Sequence, residues 1–256
     1  MKNITLLGLK VTSATVGELH REISRIISTD KQGYVLSANI YGFNMARKMK
    51  WLADFYNQAD LVHCDGAGIM LGARIFGHRI PERITYADWG WLLANHCAAK
   101  GHSLYLLGGP EGLAENAANQ LTAHTPHLKI DGTYHGYFNK EGHENEAVIQ
   151  AINHVKPDIM LVGMGMGLQE RWIIQNHAEI DVKVFMVCGA AFRYWAGWTG
   201  RCPQWMGNIG FEWLYRFLQE PNRMWKRYLW GNTIFMLNIF IDRLRLKKVK
   251  NCTIKR

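Results

Sequence analysis

Ser103-Leu104-Tyr105-Leu106-Leu107-Gly108-Gly109-Pro110-Glu111-Gly112 is the stretch whose reading decides the fold. A short apolar run enters a glycine turn, and the alanine-rich segment Leu113 to Ala123 follows with helical character. Strand, glycine turn and helix in that order offer backbone N–H groups and a positive helix end to an anion. One such turn is weak evidence, because any tight connection between strand and helix favours glycine.

The same unit recurs on both sides. Upstream, Tyr34 to Asn39 reads as a strand ending in small polar residues, Asn44 to Tyr56 as a helix, and Leu61-Val62 as a strand entering Asp65-Gly66-Ala67-Gly68. Gly68 to Phe76 and Trp89 to Ala99 read as helices. Downstream, Ile130 to Tyr134 is a strand and Glu144 to His154 a helix. Asp158 to Val162 is a strand ending in Gly163-Met164-Gly165, before a helix over Arg171 to His177. Val182 to Val187 is the last strand, and residues 3 to 8 read as the first, ahead of a helix over Thr15 to Ile27. Alternating strands and helices with short glycine turns predict a mostly parallel sheet covered on both faces.

Charge divides the chain. Residues 193 to 256 hold 13 Lys and Arg against three acids, a local +10 in a chain of net +9, so the first 192 residues are near neutral. Six of the ten tryptophans also lie after residue 193. A body over residues 1–195 and a helical basic appendage over residues 196–256 are expected. In the appendage, Ile209, Trp213, Phe217, Trp225 and Leu229 alternate with Arg216, Arg223, Lys226 and Arg227, and Pro221 divides two helices. Two readings stand: an aromatic, basic face on an anionic membrane, or an apolar stripe packed on the body as core. Tyr228 to Ile241 is too short and too interrupted to span a bilayer. The N-terminus lacks the long apolar region of a signal peptide. Five scattered cysteines with no C-x-x-C pair favour a reducing compartment and speak against a thiolate zinc site.

Asp65 is the leading chemical candidate. A carboxylate at a strand end beside glycines can act as a general base, or it can simply hydrogen-bond its own turn. Ser37 and Asn39 can face a ligand or cap the next helix. Arg83, in a charged loop around Pro81, suits a phosphate or solvent. Strand alternation separates His63, Cys64 and Asp65, which disfavours a metal cluster there. No D-x-D clamp, H-E-x-x-H, G-x-S-x-G or Walker A sequence occurs. Leu168 stands where a dinucleotide fingerprint would need glycine.

Several motifs occur in one order. They are Asp65-Gly66-x-Gly68, Pro81-Glu82-Arg83, Gly108-Gly109, His135-Gly136-Tyr137-Phe138 and Gly163-x-Gly165 with Gln169-Glu170. The last is Gly210-x-Glu212-Trp213-Leu214-Tyr215-Arg216 with Glu220-Pro221-x-Arg223 and Arg227-Tyr228. In this order the chain resembles the WecG/TagA/CpsF family of bacterial glycosyltransferases over nearly its whole length.

The resemblance implies a Rossmann-like α/β body and an inverting transfer that needs no metal and no cofactor. The donor would be a UDP-sugar and the acceptor an undecaprenyl-diphosphate-linked sugar of surface polysaccharide biosynthesis. The C-terminal appendage would dock on the inner face of the cytoplasmic membrane and complete the site. It implies Asp65 as general base, Arg83 at the diphosphate, and Ser37, Asn39, Tyr137 and Gln169 at the substrates. Gly66, Gly108, Gly109 and Gly165, in the glycine turns, and Arg216, Arg223 and Arg227, as further cations, are expected to bind the substrates as well. Arg216 and Arg223 have an alternative reading as helix-holding partners of Glu212 and Glu220. This chain departs from the family pattern at Arg193, where many members have Asp, and at Tyr86, where a Thr-Gly step is common.

The competing classes are a nucleotide-dependent oxidoreductase and a non-enzymatic basic module for membrane or nucleic acid. With the resemblance, no nucleic-acid partner is expected, and a homo-oligomer is left open.

Overall fold

The computed structural model describes residues 1–29, 31–208 and 211–253, without the side chains at 204, 208, 223, 226, 227 and 246–253. β1 (Lys2–Leu6) and β2 (Leu9–Ser13) pair antiparallel through Leu7-Gly8, whose φ angles of 52° and 80° suit a tight hairpin. The single strand expected over residues 3 to 8 is therefore corrected to a hairpin. Leu7 is an uncommon residue for a left-handed turn position and conceals it in the sequence.

α1 (Val16–Ile27) begins on a capping box in which Thr15 and Glu18 satisfy each other's N–H groups. β3 (Gly33–Ala38), α2 (Ile40–Ala46), α3 (Lys50–Gln58), β4 (Leu61–Cys64) and α4 (Ala67–Ile75) follow. The helix expected over residues 44 to 56 is two helices, separated at Met49, whose backbone is extended. α2 packs against the C-terminal helix and α3 against β2, and one straight helix could not reach both.

Next come α5 (Tyr86–Lys100), β5 (Ser103–Gly108), α6 (Leu113–His124), β6 (Lys129–Tyr134) and α7 (His143–Val155). β7 (Ile159–Gly163), α8 (Leu168–Asn176), β8 (Val184–Val187) and α9 (Ala191–Trp195) complete the alternation. α10 (Gln204–Asn208), α11 (Glu212–Gln219), α12 (Pro221–Trp225), a π-helical turn over Lys226–Trp230 and α13 (Gly231–Thr253) form the C-terminal part. The proline divides α11 from α12 as expected, and Ile209 lies outside the described residues.

Among the described residues the strands form one sheet in the order β1-β2-β4-β3-β8-β7-β5-β6, parallel except for β1. This is the expected α/β class. Successive strand residues enter opposite cores: Val35, Leu61, Leu161 and Met186 on one face, Leu36, Val62, Val162 and Val187 on the other. Covering both faces explains why these strands read as unbroken apolar runs.

The reading of the apolar C-terminal residues as core packed on the body is realised on one face of α13, and the other face stays exposed. Phe235 and Ile239 of α13 are 0% exposed and belong to the core that contains Phe43, Ile69 and Ala73. Leu237, Phe240, Ile241 and Leu244 of the same helix are exposed, as are Trp205, Trp225, Leu229 and Trp230 before it. Asn44 Nδ2 donates to Gly231 O at 2.8 Å and fixes the start of α13 on α2. Because α13 shares the body's core, Phe235→Ala is expected to lower the stability of the whole chain by about 3–5 kcal/mol. Urea unfolding monitored on the sheet reads this; an unchanged midpoint would show that α13 adds nothing to the body.

Candidate active site

The strand order creates the site. The chain passes from β3 outward to β4, later resumes on the far side with β5, and returns through β8 to lie beside β3. That reversal leaves a crevice outside the carboxyl ends of β3 and β8, where open α/β sheets bind ligands. A cavity of about 730 Å³ occupies it. Its wall includes Ser37 near the end of β3 and Asn39 just beyond it, Asp65 after β4, Gly165 and Gln169 after β7, and Cys188 after β8.

Asp65 follows β4 directly, and its N–H donates to Ala38 O at 3.0 Å, which fixes its Cα on the parallel ladder. It also lines a second cavity of about 460 Å³, with Gly66, Gly68, Arg83, Glu212 and Trp213. Asn39, Tyr41, Asp65 and Arg216 belong to both walls. Asn39 caps α2, its Oδ1 accepting from Gly42 N, and the residue also lines both cavities. Gly68 has a packing reason, since a Cβ there would lie 2.3 Å from Ile40 Cδ1.

Three arginines meet around one carboxylate. Glu212 accepts from Arg83 Nη1 at 2.7 Å and from Arg201 Nη1 at 2.5 Å, and Arg216 Nη2 lies 3.2 Å away. Arg201 also donates to Thr85 Oγ1 and, bidentately, to Asp88. Burial pushes the Glu212 carboxyl up, but Arg216, Arg201 and Arg83 together outweigh it and hold the group below the ordinary carboxylate range. The Arg216 guanidinium stacks 5.0 Å from the Tyr194 ring centroid, which keeps it at the cavity rim. The helix-holding reading of Arg216 through Glu212 is thus realised, while Arg216 still lines both cavities. The side chains of Arg223 and Arg227 lie outside the described residues.

Gln169 is 1% exposed and links two turns: Nε2 donates to Glu170 Oε1 at 2.9 Å, and Oε1 accepts from Gly189 N at 3.2 Å. Its place in the wall is accompanied by a positioning role for the loops after β7 and β8. Gly109 N donates to Gly163 O at 3.1 Å, and Gly136 N donates to Gly109 O at 2.7 Å. A Cβ on Gly108, at φ 150°, would lie 2.4 Å from Gly163 O. These glycines bring neighbouring turns together, and neither Gly108 nor Gly109 lines the two cavities. Tyr137 is 80% exposed and also lies outside both walls. Arg193 is absent from both walls too; its neighbour Tyr194 lines the larger cavity.

Sequence reading passed over Arg201 and Tyr86 as site residues. Arg201 stands 113 positions from Asp88, and no local pattern announces such a pair. Tyr86 was expected in a loop, but α5 starts there and turns it into the cavity wall. No group of three His, Cys, Asp or Glu among the described residues is arranged to hold a metal ion.

A doubly wound sheet thus carries a carboxylate and clustered guanidiniums beside its switch point, a charge pattern that suits an anionic ligand. The profile of the glycosyl transferase WecG/TagA/CpsF family matches residues 4–249, and the chain belongs to that family of glycosyltransferases. The resemblance read from the motifs is borne out. Similar relatives are the N-acetylglucosaminyldiphosphoundecaprenol N-acetyl-beta-D-mannosaminyltransferases of Staphylococcus aureus strains MRSA252, MW2 and NCTC 8325. Each is 27% identical, with 96% of this chain and 96% of the relative covered.

Glu212→Gln removes the anion that offsets the clustered arginines and is expected to destabilise the protein by roughly 3 kcal/mol at pH 7. A folded-state carboxyl held low contributes stability above its unfolded pKa, and that contribution is lost as pH falls through the lower folded value. Denaturant midpoints of wild type and variant should therefore converge below about pH 4. A gap that persists unchanged into acid would contradict the ionised pairing.

Proposed function

We propose that this glycosyltransferase moves a sugar from a UDP-sugar to a sugar linked to undecaprenyl diphosphate, with inversion and without a metal. The observation that carries the reading is Asp65 in the shared wall of two cavities. Their volumes suit small-molecule sites. The larger, at the switch point, would take the nucleotide donor. The smaller, between the body and α11, would bring the acceptor hydroxyl to Asp65.

In that arrangement Asp65 removes the acceptor proton as the hydroxyl oxygen attacks the anomeric carbon. The bond from that carbon to the diphosphate oxygen breaks, and UDP leaves with its electron pair. One displacement on one face inverts the anomeric configuration. The leaving group gathers negative charge, and Arg216, in the wall of both cavities beside Asp65, is the cation that can meet it; Arg83 lines the smaller cavity alone and would face the acceptor's diphosphate. Glu212 and Arg201 would hold them in place. The absence of a D-x-D clamp and the presence of this arginine cluster support metal independence. The relatives' names supply the acceptor class; at 27% identity the sugars themselves are not carried over.

No helix among the described residues is long and apolar enough to cross a membrane. The exposed Trp205, Trp225, Trp230, Leu237 and Phe240, with the basic excess after residue 193, support docking on an anionic surface, here the inner face of the cytoplasmic membrane. Residues 196–256 would form this docking part although α13 shares the core of residues 1–195.

Asp65→Asn is expected to reduce transfer by about 10²- to 10⁴-fold while UDP binding stays within a few-fold of wild type. Turnover from UDP-sugar to a synthetic polyprenyl-diphosphate sugar, with and without EDTA, reads both parts of the proposal, and NMR of the product gives the anomeric configuration. Near-normal turnover by the variant would remove Asp65 as base; loss of wild-type activity in EDTA, or a retained configuration, would overturn the corresponding part.

A further inference from the structure

Tyr86 is 5% exposed and lines the larger cavity, yet its hydroxyl oxygen is buried without a hydrogen-bond partner among the described residues. The ring is held firmly. It packs edge-on to His63 with centroids 5.0 Å apart and lies 5.1 Å from Trp89, and both neighbours are themselves almost fully buried. Its backbone is fixed as well, since Trp195 Nε1 donates to Tyr86 O at 3.0 Å. A rigid side chain of this kind cannot swing its hydroxyl out to water.

Burial first, then Cys188 and the Asp65 carboxylate, raise the phenol well above its ordinary pKa. Both of those residues stand in the wall of the same cavity. The hydroxyl is therefore a neutral donor at physiological pH, on a residue that shares the cavity wall with Asp65. An unsatisfied buried hydroxyl is unfavourable until an acceptor reaches it, so the site rewards a ligand that brings an oxygen there. Near the proposed base, the part of a nucleotide donor that lies closest is the sugar undergoing transfer.

We propose that the Tyr86 hydroxyl donates a hydrogen bond to an oxygen substituent of the donor sugar, a ring hydroxyl or an acylamino carbonyl, and thereby selects the sugar transferred. This rests on the assignment of the larger cavity to the UDP-sugar. A site built to pair with a substrate oxygen discriminates strongly against a sugar lacking it there, because the protein group is then left unpaired.

The test is Tyr86→Phe in the full chain, which keeps the ring and removes only the hydroxyl. KM and kcat are measured with UDP-N-acetylmannosamine, UDP-N-acetylglucosamine and UDP-glucose against a polyprenyl-diphosphate sugar acceptor. The inhibition constant of UDP and the melting temperature of the unliganded protein are measured alongside. The expected result is a KM for the preferred UDP-sugar raised about tenfold. UDP inhibition should be unchanged, and the melting temperature unchanged or higher, because an unpaired buried hydroxyl has been removed. The preference among the three donors should shrink, most of all that over UDP-glucose if the acylamino carbonyl is the acceptor; an equal loss for all three overturns the selection of the sugar.

An unchanged KM overturns the proposal. So does an equal loss for UDP, which would place the contact on the nucleotide. A melting temperature several degrees lower overturns it too, by showing that the hydroxyl already has a partner. If the wild-type protein turns over none of the UDP-sugars, the donor assignment itself falls and this inference with it; wild-type turnover with an unaffected variant removes Tyr86 alone.

Discussion

Three guanidiniums can be gathered in a partly buried place only around an anion, and here the anion is Glu212. Its two oxygens hold Arg83 from the body and Arg201 from the segment before α10, and Arg216 sits one helical turn along on α11. Breaking one member of such a cluster leaves uncompensated charge in a poorly solvated place, so the members stand or fall together. This fixes where the C-terminal helices meet the sheet edge. It also leaves Arg83 and Arg216 facing a cavity instead of solvent, with Asp65 in the same wall. The guanidiniums of Arg83 and Arg216 that line this cavity also make the contact that seats the C-terminal helices.

The rest of the site follows from strand order. The wall residues at and beyond the ends of β3, β4, β7 and β8 come from positions 37 to 189, and the reversal between β3 and β8 places them around one crevice. Backbone contacts maintain the turns there. Gly108 approaches Gly163 too closely for any side chain, and Gln169 fastens the turn after β7 to the turn after β8. A glycine can thus matter to the site without touching a ligand. The glycines after β5 hold neighbouring turns, whereas Gly165 lies in the cavity wall itself.

Much of the fold is legible in the sequence, because strands buried on both faces and helices with one apolar face leave strong local patterns. The misreadings have local causes. Leu7 occupies a left-handed turn position where glycine or asparagine would have announced the hairpin, and α2 and α3 share a run of helical residues that only their different packing partners divide. α5 begins three residues earlier than its apolar pattern suggests, which carries Tyr86 from an expected loop into the cavity wall. Asp65, Ser37, Asn39 and Gly165 could be picked out at strand ends and turns, and Gln169 through the family motif. Arg201 could not, because its partners Asp88 and Glu212 lie in distant segments.

The sequence alone determined the alternation of strands and helices, the placing of Asp65 at a strand end, and the concentration of positive charge and tryptophan after residue 193. These are properties of short stretches, set by side-chain periodicity, turn chemistry and composition. The tertiary structure decided that Asp65 separates two cavities, that Glu212 binds together arginines from three segments, and that α13 buries Phe235 and Ile239 while its other face stays exposed. Those outcomes depend on long-range packing, in which residues far apart in the chain share one desolvated space and must satisfy each other's charge and volume.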